Sequence, residues 1–500
     1  LAGLAVAATA LLLAALPTWR ELPGALRVAA AIAGTGNAGN LHTPLRVSQV
    51  LGIWLDGSYK LAPAGAALAA THVLLALALA AVVLGVWRLL SIRAHALAAW
   101  LALTLLASLA ISRTVTTWAD AKTLVLSSPL VVLLAWAGVA ALLGARRVRP
   151  ARIARTLAYA LALALGGGVL ASDALLYHSS NLAPTARYQE LSSLNARFAG
   201  EGPTLFTDFD EYAMYELRDL DVGGPDFAYP PTLAGVAVGH GEPVYLDRVP
   251  PSALAAYPLI VTRRDPAASR PAAAYRLVWQ GAYYQVWRRR RGAAPAQAHV
   301  ALSGSLARQC ARIAAVAERA HGRAAARDTL VAAPAPALIG VSLKRSRHPR
   351  RWGHERGGLV MSTAGTLTAS FALPRAGAWE VWVQGQIMPR VTLRLDGRAV
   401  ASIAGELDGN SLVPDTVPPV RVSLGAGAHR VSVTRGGFGL APGEGGTAVL
   451  DAIFLTPAGA NAQTALRSVG AGDWRELCGR TYRWVELIAP SARERRLHGA

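Results

Sequence analysis

Few side chains in this sequence have the type and spacing to do chemistry, and each also admits a plain structural reading. Asp208-Phe209-Asp210 has the D-x-D spacing with which two carboxylates hold a metal and a nucleotide-sugar. Glu211, Glu216, Asp219 and Asp221 follow closely, so the better reading is a solvated acidic helix start, where the helix dipole favours negative charge. Asp56, in the long loop 17–63, is the one carboxylate offered as a general base, although no catalytic motif surrounds it. Trp54 and Tyr59 of the same loop read as anchors at a membrane face or as the border of a lipid-linked sugar site. Arg113 and Lys122 flank the connection that carries Trp118 and Asp120. Two cations there would hold a lipid phosphate, and interface anchoring stands beside that reading.

Trp379 and Trp382 lie three apart on one expected strand and so face opposite sides of a sheet. One then belongs to a core and the other could stack on a sugar ring, with Gln384, Trp352 and Phe438 as further candidates. In a sandwich the core role is the commoner one for aromatic side chains. Asp396, Glu444 and Asp451 could hold calcium, a divalent cation being the only cofactor these residues suggest, although turn chemistry already accounts for Asp396-Gly397. HExxH, a P-loop, the dinucleotide-binding glycine pattern and zinc-ligand spacings are absent from the sequence.

The elements that must position these residues fall into two contrasting halves. The chain has 500 residues, 53% hydrophobic and 16% charged, with a net charge of +20, which calls for more than one domain. Long Ala/Leu/Val runs fill residues 1–177, with spans expected at about 1–16, 64–87, 94–111, 124–144 and 156–177. The chain opens inside an apolar run, without Met, so further spans are expected upstream. Arg146, Arg147, Arg149, Arg152 and Arg155, together with Arg88 and Arg93, place their connections in the cytoplasm. Arg20, Arg27, Arg46 and Lys60 in the loop 17–63 pull mildly the other way. That loop and everything after Tyr177 are then extracytoplasmic, in a multi-pass plasma-membrane protein. The basic excess sits in short clusters and in the stretch 263–356, with no nucleic-acid motif. It suits anionic lipid headgroups better than nucleic acid.

Residues 178–292 read as a small α/β domain, with a hairpin at Tyr275–Arg288, and 293–350 as a helix and linker. Residues 351–500 read as a jelly-roll-like β-sandwich of about eight short strands separated by Gly-rich turns, the last strand being Tyr482–Ile488. Cys310 and Cys478 both fall in this outer part, where an oxidising compartment favours a disulfide over two buried thiols. Such a bridge would tie the helix at Ser305–Ala320 to the C-terminal strand.

The segments Gln49-Val50-Leu51-Gly52-Ile53-Trp54, Ala121 through Pro129, and Tyr188-Gln189-Glu190-Leu191 with Asp210-Glu211-Tyr212 resemble actinobacterial polytopic glycosyltransferases of the GT-C type, of the arabinosyl- and mannosyltransferase kind. Trp379 through Gly385, Leu395 through Arg398, Gly427 through Val431 and Arg435-Gly436-Gly437 are similar to carbohydrate-binding-module-like sandwiches. The resemblance implies transfer of a sugar from a polyprenyl-phosphate donor to a cell-envelope glycan on the outer face, by an enzyme of which this chain is the C-terminal half. It also implies a catalytic carboxylate in the first outer loop, which on this reading precedes Leu1. The alternative is a non-catalytic, membrane-anchored glycan-binding or scaffold protein. A transporter fits less well, because the spans carry few charges.

Overall fold

The computed structural model describes residues 2–34, 41, 44–112, 116–144, 151–210, 212–225, 232–233, 236–239, 241–293, 296–320, 328–355, 358–406, 415–436, 439, 441–446, 448–459 and 465–489. Two compact units divide the chain, Leu1–Ser180 and Asn181–Ala500.

The first unit is helical: α1 (Ala2–Ala14), α2 (Leu16–Gly34), α3 (Gly65–Ser91), α4 (His95–Ser112), α5 (Thr117–Leu143) and α6 (Ala151–Ser179). Three of its helices are long and apolar enough to cross a membrane, over Gly65–Ser91, Thr117–Leu143 and Arg152–Ser179. At 27 residues each, α3 and α5 are about 40 Å long, more than the ~30 Å of a hydrocarbon core. A shorter apolar helix covers His95–Ala110. Five spans were expected from sequence; at the first of them α1 and α2 meet at Ala15, where the hydrogen bonds Ala15 N–H to the Leu11 carbonyl and Trp19 N–H to the Ala15 carbonyl continue, and α2 carries polar residues and an internal Pro23. The connection 145–150, with Arg146, Arg147 and Arg149, lies outside the described residues.

Small residues set how closely α3 and α5 approach. A Cβ at Gly85 would collide with the Leu134 carbonyl, and one at Gly138 with the Ala81 carbonyl. Backbone-to-backbone packing of this kind holds helices together where no hydrophobic effect can. Into the bundle dips a non-helical segment. After a 3₁₀ turn at Val47–Leu51, Gly52 takes a φ of +75° and turns the chain inward. Ile53, 1% exposed, then packs with Ala78, Ala81, Ala135, Ala158 and Leu165. The freed backbone is satisfied by helix side chains: Trp54 N–H donates to Ser172 Oγ at 2.7 Å and Leu55 N–H to Thr71 Oγ1 at 3.4 Å. Irregular backbone in a membrane bundle persists only where protein groups supply such partners.

The second unit contains three modules. In the first, β1 (Thr204–Phe206), β2 (Val222–Gly223), a small hairpin β3 (Thr232–Leu233) and β4 (Val236–Ala237), and then β5 (Leu259–Arg263), β6 (Tyr275–Gln280) and β7 (Tyr284–Arg289) accompany α7 (Thr185–Phe198), α8 (Ala213–Glu216) and α9 (Pro251–Leu254). The sheet order is β2-β1-β5-β7-β6; β1 runs parallel to β2 and β5, and β7 antiparallel to β5 and β6. The period-two alternation of strands sends Phe206, Leu259, Val261, Tyr284 and Val286 to the α7 side, with Leu191, Leu194 and Phe198. Leu205, Ile260 and Trp287 go to the other side, with Leu246, Val249 and Leu254.

The second module joins β8 (Ala298–Ala301), α10 (Leu306–Ala317), β9 (Thr329–Pro334), β20 (Arg467–Gly470) and β21 (Tyr482–Ile488) in a sheet of order β20-β9-β21-β8. Cys310 of α10 and Cys478 form a disulfide, as expected. The strand Tyr482–Ile488, expected to complete the sandwich, belongs here instead. It pairs with β8 and β9 and buries Tyr482, Val485 and Leu487 against Ile313, Val316 and Leu330.

The third module is a β-sandwich. One sheet has the order β11-β12-β19-β14-β17, with β10 beside β19; the other has β13-β18-β15-β16. These strands are β10 (Ile339–Gly340), β11 (Gly353–Glu355), β12 (Gly358–Val360), β13 (Gly365–Leu373), β14 (Gly377–Ile387), β15 (Val391–Leu395), β16 (Arg398–Ile403), β17 (Asp415–Leu424), β18 (Gly427–Arg435) and β19 (Ala448–Pro457). Leu367, Phe371, Leu393 and Val433 of one sheet meet Trp379, Val381, Leu450 and Ile453 of the other in a single core. The β15–β16 turn uses Asp396 and Gly397 at φ of +47° and +83°, the left-handed pair a tight hairpin requires. Asp396 also accepts from His429 Nδ1 and from Arg430 N–H, both at 2.8 Å.

Candidate functional site

The sequence places a charged residue after each of two parallel strands: Asp208 follows β1, and Arg263 ends β5. In α/β sheets ligands sit beyond the carboxyl ends of the strands, and a cavity of about 460 Å³ opens there. That volume lies within the ~300–1,000 Å³ typical of small-ligand sites. The lining of the cavity includes Asp208, Arg263 and Asp265, together with Tyr245, Asp247 and Ser269, and Asp415, Thr416 and Arg483 arrive from the sandwich and from β21. All three modules of this unit therefore contribute to one cleft.

Beneath it lies a buried ion network. Arg187 of α7 reaches Asp415 Oδ2 at 2.6 Å and Asp210 Oδ2 at 3.1 Å. Arg263 pairs with Asp415 Oδ1, and its Nε stands 3.7 Å from Asp208 Oδ2. The Arg263 guanidinium also faces the rings of Tyr283 and Tyr284, 5.6 and 5.0 Å from their centroids. The carboxyls of Asp208, Asp210 and Asp415 thus share two guanidiniums. Burial, opposed by Arg263 and reinforced by Asp415, pushes the Asp208 carboxyl up to about 7. Burial likewise raises Asp265, against the N–H of Ala267 that holds its carboxylate. A titratable group shifted toward neutrality at the wall of a cleft marks a functional-site candidate.

The acidic residues of Asp208-Phe209-Asp210 are therefore not a solvated helix start: they are 7% and 2% exposed. Nor do they form a metal centre with neighbours, since among the described residues no group of three or more His, Cys, Asp or Glu could hold a metal ion. The same holds for Asp396, Glu444 and Asp451: Asp396 serves its turn, and burial raises Asp451 to about 6.

A second cluster braces the cleft. Buried His299 of β8 shares hydrogens with Glu486 Oε1 at 2.9 Å and Asp247 Oδ1 at 3.2 Å. Burial alone would lower its pKa, but the bonds to Asp247 and Glu486 overcome that and lift it to about 9. Ser269 Oγ donates to Asp247 Oδ1 at 2.8 Å, and Ala273 N–H to Glu486 Oε2 at 2.9 Å. At the rim Tyr245 is 41% exposed, with Arg248 over its ring at 4.5 Å.

The residues expected from sequence to bind sugar lie elsewhere. Trp379 is 2% exposed within the sandwich core. Trp382 is 3% exposed, stacked on Phe454 and covered by Arg264, so neither indole offers a face to solvent. Trp352 is buried in the same core. Gln384 Nε2 donates to Asp265 Oδ2 at 3.2 Å and Thr416 Oγ1 at 3.1 Å, a support for the cleft. Phe438 and Arg113 fall outside the described residues.

In the helical unit Trp54 is 7% exposed, its Nε1 donating to the Leu61 carbonyl at 2.9 Å, whereas Tyr59 is 39% exposed. Lys122 lies within the first turns of α5, its Nζ 3.4 Å above the Trp118 ring centroid. Asp56 accepts the Ser58 N–H at 2.7 Å, as a turn residue does.

Sequence reasoning missed Arg187, Arg263, Asp415, Tyr245, Asp247, His299 and Arg483. Only Asp208 and Asp210 carried a local signal, through their D-x-D spacing.

No protein-family model matches the chain, and no curated protein matches it. Among solved structures it is similar to a family 35 carbohydrate binding module from Clostridium thermocellum, at 11% identity over 24% of this chain and 99% of that one, with a TM-score of 0.20. The CBM36-1 domain of a multidomain xylanase from the hindgut metagenome of Trinervitermes trinervoides gives 14% identity, 25% and 98% coverage, and a TM-score of 0.19. An exo-beta-1,3-galactanase from Phanerochaete chrysosporium gives 17% identity, 25% and 28% coverage, and a TM-score of 0.17.

Proposed function

We propose that this chain is a membrane-anchored glycan-binding protein of the cell envelope, with its Asn181–Ala500 unit extracytoplasmic and a saccharide held in the cleft at Asp208. The observation that carries this reading is the cleft lining, in which carboxylates, guanidiniums and hydroxyls are interleaved beside an exposed tyrosine. A sugar ring matches that lining, because its hydroxyls both donate and accept while its C–H face packs on an aromatic ring. Helices of membrane-crossing length supply the anchor. The Cys310–Cys478 bridge suits an oxidising compartment, and the arginines of the connections before α4 and before α6 favour the outward orientation.

The test is binding of the full chain, in lipid nanodiscs, to an array of envelope glycans. Selective retention of one glycan class is expected; no retention by chain with an intact thermal transition would overturn the reading.

Transfer of a sugar from a polyprenyl phosphate is the second reading, favoured by the segment that dips among α3, α5 and α6. There Asp56 would act as base, with Trp54, Tyr59, Arg113 and Lys122 beside the donor. Sugar transfer that Asp56→Asn abolishes, with glycan retention unchanged, would establish it; no transfer by the wild-type chain would remove it.

A further inference from the structure

The cleft is not the only place where this unit presents aromatic rings to solvent. Among the described residues of Asn181–Ala500, the exposed aromatic side chains are those of Tyr212, Tyr215 and Tyr245, at 52%, 68% and 41%. Tyr245 stands on the cleft lining. Tyr212 and Tyr215 belong to the single turn of α8, Tyr212 as its N-cap.

Tyr215 and Tyr245 share one construction. Each precedes an arginine by three residues, a spacing that brings side chains together on a helical turn. Each ring carries that guanidinium, Arg218 at 4.8 Å and Arg248 at 4.5 Å from the centroid. Arg218 Nη1 also donates to the Tyr215 carbonyl at 3.0 Å. Tyr212 is held by the ring of Tyr188, 5.2 Å between centroids, and by its N–H, which donates to Asp210 Oδ1 at 2.9 Å. The turn is anchored from within: Ala213, Leu217 and Leu220 pack with Leu191 and Leu194 of α7. Asn195 and Asp219 exchange hydrogen bonds at 2.7 and 2.9 Å. The exposed rings are therefore set in place before a ligand arrives, and preorganised contacts lose little freedom on binding.

Chain connection ties this turn to the cleft. Tyr212 follows Asp208 of the lining by four residues, so the two lie within ~14 Å, the reach of four extended residues. Charge decides what the turn meets. Over 211–221 the sequence has Glu211, Glu216, Asp219 and Asp221 against Arg218 alone. That excess repels anionic lipid headgroups, which disfavours the membrane-anchoring role open to exposed tyrosines. A saccharide suits the surface: its C–H face packs on the rings, and its hydroxyls donate to Glu216 and accept from Arg218.

Building on the glycan-binding reading, we infer that Tyr212 and Tyr215 form a second saccharide contact outside the cleft, and that the ligand is an extended glycan chain held by the cleft and laid across this turn. An open platform touches only one side of a sugar and holds it weakly alone. Joined to the cleft by the glycan itself, it acts at a high effective concentration. The two contacts together select for chain length. Ala268, an exposed residue on the cleft lining, provides the complementary variant, since Ala268→Trp closes the cleft and leaves the turn intact.

The experiment is calorimetric titration of the full chain in nanodiscs with linear hexasaccharides of glucose, galactose, mannose and arabinose, and with the methyl glycoside of each. At least one hexasaccharide should bind tenfold or more tightly than its methyl glycoside. Tyr215→Ala should remove most of that advantage and Tyr215→Trp should keep it, with methyl glycoside affinity the same in all three chains. Ala268→Trp should abolish binding at both lengths. Hydrogen exchange of the α8 amides should slow when the hexasaccharide is added. A hexasaccharide no tighter than its methyl glycoside would overturn the inference while leaving the glycan-binding reading in place. So would equal hexasaccharide affinity in the wild type, Tyr215→Ala and the chain with both Tyr212→Ala and Tyr215→Ala. Protection of the α8 amides by lipid and not by glycan would also overturn it, and would make the turn a membrane contact. No binding at either length by folded chain, with no retention on the glycan array, would overturn both readings.

Discussion

Arg187 on α7 and Asp415 at the start of β17 stand 228 positions apart in sequence and meet at 2.6 Å, their side chains 1% and 4% exposed. This pair fastens the α/β module to the sandwich directly beneath the cleft. Because both charges are out of water, their attraction largely offsets the cost of desolvating them, and neither tolerates the loss of its partner.

Arg187→Met should therefore destabilise the Asn181–Ala500 unit by about 3–5 kcal/mol, the range for a buried pair broken on one side. Arg187→Met with Asp415→Leu should cost less than the two single changes added together, because each single change strands the other member of the pair, whereas the double change removes both. Thermal denaturation of the four proteins forms the double-mutant cycle, and strict additivity would show that the pair does not interact.

Reduction of Cys310–Cys478, which closes a loop spanning 168 residues, should lower stability by about 2–5 kcal/mol. The loss should appear first in the module of β8, β9, β20 and β21, where hydrogen exchange of the Tyr482–Ile488 amides would rise. Unchanged exchange after reduction would mean the sheet holds itself together.

His299 gives a pH dependence of known sign. Its pKa in the fold is about 9 against an ordinary 6.5, so the folded state binds this proton more tightly than the unfolded chain. The stabilisation is full below about pH 6.5 and disappears as pH rises through about 9. A melting temperature measured from pH 6 to 10 should fall across that window, and His299→Gln should flatten the fall.

Asp208, raised to about 7 from 3.8, also favours the protonated state in the fold. Its contribution is full below about pH 4 and is lost as pH rises through about 7. Asp208→Asn should remove that part of the slope between pH 4 and 7, and an identical slope in wild type and variant would show that another group is responsible.

In the helical unit Ser172→Val strips the acceptor from the buried Trp54 N–H. The expected cost is about 1–3 kcal/mol, together with a shift in tryptophan emission as the dipping segment loosens. Emission and melting temperature equal to wild type would show that the segment is held by packing of Ile53 alone.

The sequence disclosed the elements far better than it disclosed the site. Alternation and turn residues located β14, β15, β16 and β18 because strand periodicity and left-handed Asp396-Gly397 turns are local properties. Tyr482–Ile488 carried the same alternation, yet it joined another sheet, since partner choice depends on contacts with residues as far away as Ala298. Trp379 and Trp382 illustrate the limit of face-counting. They do face opposite sides of their sheet, but the second side is covered by Arg264 from a different module. The cleft was illegible for the same reason: Asp208, Asp247, Asp265, Asp415 and Arg483 are distant in sequence and ordinary one at a time. The burial of Trp54 was illegible because the sequence does not reveal that Gly52 turns the chain inward.

The most direct test of the central claim is the affinity of the full chain in nanodiscs for the glycan it retains, measured side by side with the Ala268→Trp chain. The account predicts measurable binding by the wild type and none by the variant, at equal melting temperatures. Equal affinity of the two chains would contradict a saccharide site at Asp208.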